Sequence, residues 1–245
     1  MPDNMPTQDK TAICTSNSAE WCDRVCRAHG VPGTFTPEIW IQPRIGPPYY
    51  SNAITLTRSG LTEQYAAIAQ LEEALPQGFS VKDAFASLDL TKSGFHVLFD
   101  AEWVWFEPSP VARHGNRSSS WFQIETEHEL IRWEAAWAAS GSPTASPVFL
   151  PTLLTDTSLA FFGAQRDGQI VAGCIANRSR AGVVGFSNFF APDSGRDRYR
   201  GEAVALVANF AKGNPLVGYD RGAELEDLHA LGFRCVGPLR VWVRP

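Results

Sequence analysis

The sequence predicts an α/β protein whose mixed central sheet is flanked by helices and built as two related halves. Three observations predict it. Strand-length apolar runs alternate with helical patterns along the 245 residues. Asp167-Gly168 sits between two apolar runs, a strong hairpin signal. Phe186 to Lys212 passes from an apolar strand (183–191) through Pro192 and a polar turn into a helix from about Gly201 to Lys212. A strand-to-helix junction of this kind offers backbone N–H groups and a favourable helix dipole to an anion.

Residues 1–18 are polar, without a hydrophobic segment, and read as a flexible tail. A helix is expected over 19–29, a strand over 49–56, a helix over 62–75, a short helix over 81–88 and a strand over 95–106. Residues 109–120 (SPVARHGNRSSS) read as a linker, being rich in Ser and polar groups and without periodicity. The division is thus a first half over 19–108 and a second over 121–245. In the second, a helix is expected over 126–139 and strands over 158–166, 169–177 and 183–191. The helix from Gly201 follows, with Ala203, Leu206, Val207 and Phe210 on one face. Glu202 suits its positive end, Lys212 its negative end, and Gly213 its stop. A strand over 216–219, a helix over 223–231 and a strand over 233–243 close the chain.

The halves echo each other. Asp89-Leu90-Thr91-Lys92-Ser93-Gly94-Phe95 matches Asp227-Leu228-His229-Ala230-Leu231-Gly232-Phe233, and each is followed by a strand holding Val-Trp. The offset is 138 residues (227 less 89). This reads as an internal duplication; convergence of two similar units on a common helix stop is the alternative. At the same offset Arg198, Gly201 and Ala203 fall on Gly60, Glu63 and Tyr65, so only the second half keeps an anion cradle.

Hydrophobic residues make up 44% and charged residues 19%, which implies a packed core. The net charge of −5 and the lack of a basic stripe argue against a nucleic-acid partner. No apolar run reaches the roughly 20 residues of a membrane span. Five cysteines without a secretory signal read as reduced thiols in the cytoplasm. Cys22, Cys26 and His29, even with Cys14, match no zinc spacing, so the cysteines read as small buried hydrophobes and no metal is expected.

Arg198-x-x-Gly201-x-Ala203, after a strand ending at Pro192, resembles the acyl-CoA signature of the GNAT superfamily of N-acyltransferases. The preceding hairpin and the Leu231-Gly232-Phe233 helix end with its final strand agree in order. The resemblance covers about 121–245, and the first half resembles a degenerate relative. It implies acetyl-CoA as co-substrate, held by Phe189, Phe190, Arg196, Arg198, Tyr199, Arg200, Gly201, Glu202 and Ala203. It also implies direct attack of an amine on the thioester, with Asn188 and its neighbours on the signature strand near the carbonyl. The tyrosine that serves as acid in many members is replaced by Leu228. His229 is then a candidate acid or a surface histidine, Tyr219 a candidate acid or a core aromatic. Glu102, with Asp100, is a candidate base facing the acceptor or part of an exposed acidic edge. Asp220 and Glu224 read as caps of the next helix. The resemblance implies an N-acetyltransferase acting on a small-molecule or peptide amine, as monomer or homodimer. A non-catalytic CoA sensor or pseudoenzyme is the alternative, and a structural GNAT-like protein binding another anion a third.

Overall fold

The computed structural model describes residues 7–108 and 121–245. The linker expected at 109–120 lies outside the described residues. The fold is α/β, with one mixed sheet between two helical layers.

The first helix, α1 (Thr7–Ala28), corrects the expectation of a flexible tail. No Gly or Pro interrupts the chain from Thr7 to His29. Its end is a left-handed Gly30 (φ 72°), with Gly30 N bonded to the Arg27 carbonyl and Val31 N to the Cys26 carbonyl, a Schellman stop. The polar residues that suggested a tail are buried. Thr11 Oγ1 donates to the Val236 carbonyl (2.6 Å), Thr15 Oγ1 to the Thr11 carbonyl (2.9 Å) and Asn17 Nδ2 to the Asn177 carbonyl (3.1 Å). Small polar side chains with local or cross-chain partners suit a helix covered by other elements.

The first half continues with β1 (Thr34–Phe35), β2 (Ile39–Ile41), β3 (Ala53–Thr55), α2 (Leu61–Ala74), β4 (Phe79–Asp83) and β5 (His96–Phe106). The short helix expected over 81–88 is not formed. Val81 to Asp83 belong to β4, and Ala86 takes a left-handed conformation (φ 48°). The Asp83 carboxylate accepts from the Leu88 amide (2.8 Å), turning the chain instead of winding it.

The second half holds β6 (Trp121–Gln123), α3 (Glu127–Ala139), β7 (Leu159–Arg166), β8 (Gln169–Arg178) and β9 (Val184–Phe190). After these come α4 (Arg196–Ala211), β10 (Leu216–Asp220), α5 (Gly222–Ala230) and β11 (Arg234–Arg244). The β7–β8 hairpin turns at Asp167 and Gly168, both at positive φ. A Thr126–Glu129 capping box starts α3.

The strands form one eleven-stranded sheet in the order β1-β2-β3-β4-β11-β5-β10-β9-β8-β7-β6. The two halves interleave at its centre. The final strand β11 pairs with β4, the first-half strand β5 pairs with β10, and the two pair antiparallel with each other. Ala101 lies opposite Leu239, its counterpart at an offset of 138.

One face of the sheet carries α1 and α3. There Trp133 is fully buried among Phe149, Phe161 and Phe190, at ring distances of 5.5, 5.4 and 5.2 Å. Each such buried side chain contributes about 1.5–3 kcal/mol. The opposite face carries α2 over the first half and α4 with α5 over the second. No helix among the described residues is long and apolar enough to cross a membrane.

Interleaving generates a testable expectation. Residues 121–245 alone lack β5, the strand between β10 and β11, and should be unfolded or aggregated. A sharp cooperative melt of a monomeric 121–245 fragment by circular dichroism would refute it.

Candidate functional site

The strands β9 and β10 run parallel and pair only at Val184–Leu216 and Gly185–Val217. Beyond these pairs they part, because β10 follows β5 along its other edge from Leu216 to Asp220. The gap has two local causes. A Cβ on Gly218 would lie 2.8 Å from the Phe186 carbonyl, so glycine lets the strands touch just before they diverge. On β9, Asn188 adopts a left-handed conformation (φ 52°) where the register with β8 shifts, a bulge that bends the strand.

A cavity of about 440 Å³ fills the gap and reaches residues of both helical layers. On one side it meets Arg196 and Arg200 of α4 and Glu224 and Leu228 of α5. On the other it meets Ser18, Trp21 and Cys22 of α1, Tyr49 and Tyr50 of the β2–β3 loop, and Lys82 of β4. Tyr49 straps this side, its hydroxyl donating to the Pro143 carbonyl (2.7 Å) and its ring 5.7 Å from Trp137.

The expected site residues divide. Asn188, Phe189, Arg196, Arg200 and Tyr219 line the cavity. Phe190 does not, being packed in the core against Trp133. Tyr199 is buried beside Trp121, and Ala203 is buried under the sheet. Glu202 accepts from Trp121 Nε1 (2.7 Å), and Gly201 faces Leu231. His229 is exposed with its Nε2 3.2 Å from Cys235 Sγ, away from the cavity. Glu102 also lies outside the lining, although Trp103 and Val104 of the same strand reach the cavity.

The helix after the signature strand starts earlier than expected. Gly195 (φ 84°) is the N-cap and α4 begins at Arg196, so Gly201 lies in its second turn. The first-turn amides therefore belong to Arg196, Asp197 and Arg198. Two of the three arginines are committed to carboxylates. Arg196 Nη2 donates to Glu224 Oε1 (2.8 Å) and Nη1 to the Ala191 carbonyl (2.8 Å). Arg200 is 1% exposed and ion-paired with Glu224, Asp227 (3.5 Å) and Asp220 (3.9 Å), its guanidinium 4.5 Å from the Phe189 ring centre. Arg198 is exposed, over the Tyr199 ring (4.8 Å), and makes no ion pair among the described residues. In the first half, α2 also follows a left-handed glycine, Gly60 (φ 77°). A Cβ there would meet Glu38 at 2.6 Å and the Glu63 carboxylate at 3.5 Å, whereas nothing lies within 4 Å of one on Gly195. Both helices carry one acid in the first turn, Glu63 and Asp197, but Glu38 crowds the α2 terminus and nothing crowds Gly195 of α4.

Around Asn188 the structure gathers groups that sequence reasoning missed. The Tyr50 hydroxyl is buried and faces Asn188 and Trp21; burial pushes its pKa well above the ordinary phenol value. Lys82 Nζ donates to Ser18 Oγ (3.0 Å) and sits 4.6 Å above the Tyr219 ring. Burial works against its ammonium, but the Tyr219 phenol and the Cys22 thiol outweigh it and hold the pKa above the ordinary lysine value. Asp220 is lifted above the ordinary carboxyl range by burial, against the Arg221 amide and Arg200. The one available signal was Lys82 itself, a charge directly after Phe79-Ser80-Val81. The cysteines bear no metal signature. Burial pushes Cys14 and Cys26 up to about 12, keeping the thiols protonated. No cluster of three His, Cys, Asp or Glu suited to a metal occurs among the described residues.

A parted strand pair, a bulge on the strand before the helix and a glycine-started helix beside the gap define the fold of the GCN5-related N-acetyltransferases, and this chain has that fold. A GCN5-related N-acetyltransferase from Kribbella flavida is similar at a TM-score of 0.62, with 15% identity over 93% of this chain and 95% of that one. A putative GNAT-family acetyltransferase from Novosphingobium aromaticivorans is similar at 0.58, with 14% identity over 94% and 98%. A conserved protein of unknown function from Staphylococcus epidermidis is similar at 0.61, with 14% identity over 86% and 92%. No family model matches the sequence, and no curated protein matches it.

The raised Asp220 carboxyl has a stability consequence. A folded-state pKa above the unfolded one contributes stability below the ordinary carboxyl range, and this is lost as pH rises through the raised value. Wild-type stability relative to Asp220→Asn should therefore fall as pH rises from about 4, the ordinary carboxyl pKa, through the raised value. Urea midpoints across that range check it, and a flat difference would sink it.

Proposed function

We propose that this chain is an acyl-CoA-dependent N-acyltransferase that passes an acetyl group to an amine within the cavity. The observation that carries the reading is the β9–β10 gap, which joins an open helix terminus on one face of the sheet to a polar, half-enclosed chamber on the other. The residues present fit acetyl-CoA in charge and shape. The Arg196 amide is taken by the Asp193 carbonyl, which leaves the Asp197 and Arg198 amides with the exposed, uncommitted Arg198 side chain, and Arg196 Nε is buried without a hydrogen-bond partner. Arg198 and these amides would hold the pyrophosphate, and Phe189 would border the pantetheine arm.

Bound acetyl-CoA supplies an activated acyl carbon; the protein supplies position and proton traffic. The bulge at Asn188 frees β9 from regular pairing where a carbonyl oxygen needs a donor. Tyr50 keeps its proton and donates a hydrogen bond. Tyr219 stands at the cavity wall to return a proton to the departing sulfur, in place of the tyrosine that Leu228 replaces. Asp220, lifted by burial, accepts the proton from the attacking amine. We also read the two halves, 19–108 and 121–245, as copies of one unit. The 138-residue offset of β5 and β11 and the left-handed glycine before α2 and α4 support this.

Non-catalytic binding of CoA is the second reading, favoured by one observation. Leu228 is 2% exposed and meets the cavity at the family's acid position. Thiol release across an amine panel separates the two.

Millimolar acetyl-CoA should raise the melting temperature, since a ligand of the native state stabilises it. Arg198→Glu should weaken this binding by about tenfold or more, a loss of about 1.4 kcal/mol, without changing the ligand-free melt. Equal affinity in calorimetry would refute the assigned cradle.

A further inference from the structure

The two ends of the cavity treat charge differently. At the α4–α5 end the buried Arg200 faces Asp220, Glu224 and Asp227. At the α1 end Lys82 is 6% exposed, yet no carboxylate lies within ion-pairing distance of it among the described residues. Its neighbour Asp83 is engaged elsewhere, accepting from the amides of Leu88 and Phe85. Asp23, one residue from Cys22 on α1, accepts from Gly33 N (2.9 Å) and Trp40 Nε1 (3.2 Å) and pairs with Arg27. An ammonium has three donors. Lys82 spends one on the Ser18 hydroxyl and turns toward the Tyr219 ring. The remaining donors of a charged ammonium can receive an anion.

A second unspent donor lies in the same chamber. The Tyr50 hydroxyl is buried and lacks a hydrogen-bond partner of good geometry. It neighbours Tyr219 and Cys22, as Lys82 does, and Asn188 at the bulge. Cation, hydroxyl and bulge therefore share one compartment. The alternation of β4 places Lys82 there: Phe79 and Val81 point to α2, and Lys82 points to α1.

We propose that the α1 end of the cavity is a carboxylate subsite, in which Lys82 and the Tyr50 hydroxyl receive the carboxylate of an acceptor that also carries an amine. The acceptor class is then an amino carboxylate of amino-acid size. Like charge at Lys82 disfavours a polycationic amine at this end, and the cavity volume of about 440 Å³ suits a small molecule. A carboxylate anchored by Lys82 leaves the amine of the same molecule directed at Asn188. The assignment of the acceptor rests on the acyl-transfer reading; the presence of the subsite does not.

The test uses the full chain and reads binding by calorimetry and heat shift. The probes are N-acetylglycine, N-acetyl-L-leucine and N-acetyl-L-phenylalanine against their primary carboxamides. At least one acid should bind about tenfold or more tighter than its amide. Lys82→Met should erase that preference and Lys82→Arg should keep it. A melt of each variant reports folding. Amides binding as well as acids, no binding of either, or a preference that survives in Lys82→Met would each overturn the subsite. Acetyl-CoA is measured separately on the same protein. Acids that bind where acetyl-CoA does not would uphold the subsite and refute acyl transfer; the converse would refute the subsite alone.

Discussion

The pairing of β5 with β11 is the contact on which the rest of the structure depends. It is antiparallel and runs nearly the full length of both strands. It joins the strands of the first half to those of the second as one sheet. It also sets the position of β10, which follows β5 and so leaves β9 after two pairs. The gap, and the cavity in it, open where β10 stays with β5 and β9 bends away at Asn188. The same pairing places Lys82 of β4 and Tyr219 of β10 in the sheet on either side of β11 and β5, where both reach α1's side of the chamber.

Buried charge is handled in two ways within a short distance. Arg200 is compensated by three carboxylates and a ring face, a network in which loss of the arginine would strand like charges. Lys82 has a hydroxyl and a ring and no acid within pairing distance among the described residues. The first arrangement holds α4 and α5 against each other. The second adds little to folding, and such departures from good packing concentrate where a protein binds something.

The parts of the fold visible in the sequence were those with local causes. The Asp167-Gly168 hairpin, the capped α3, and the strand, turn and helix around Pro192 follow from turn chemistry and periodicity within a dozen residues. The elements that were missed have distant causes. The polar residues of 7–18 are accommodated in a helix because Thr11 and Asn17 find partners on other elements and Thr15 on its own helix, and the distant partners leave no local pattern. Residues 81–83 lie in a strand because β11, some 160 residues later, pairs with them. The helix start was displaced because Gly195, not Gly201, takes the left-handed cap. Within the site, Asn188 and Tyr219 could be named since they flank the motif. Lys82 and Tyr50 come from the other half of the chain and join the site through tertiary pairing alone.

The interleaved centre also governs how this chain can be made. β11 is made long after β4 and β5, so during synthesis both wait for this shared partner until β11 has left the ribosome. Until then the nascent chain carries two unpaired strand edges from its first half, with their apolar faces only partly covered. Pairing across so long a separation is slow. The order of synthesis therefore leaves the chain open to association with its neighbours on the polysome, and help from a chaperone would matter most before β11 has emerged and paired.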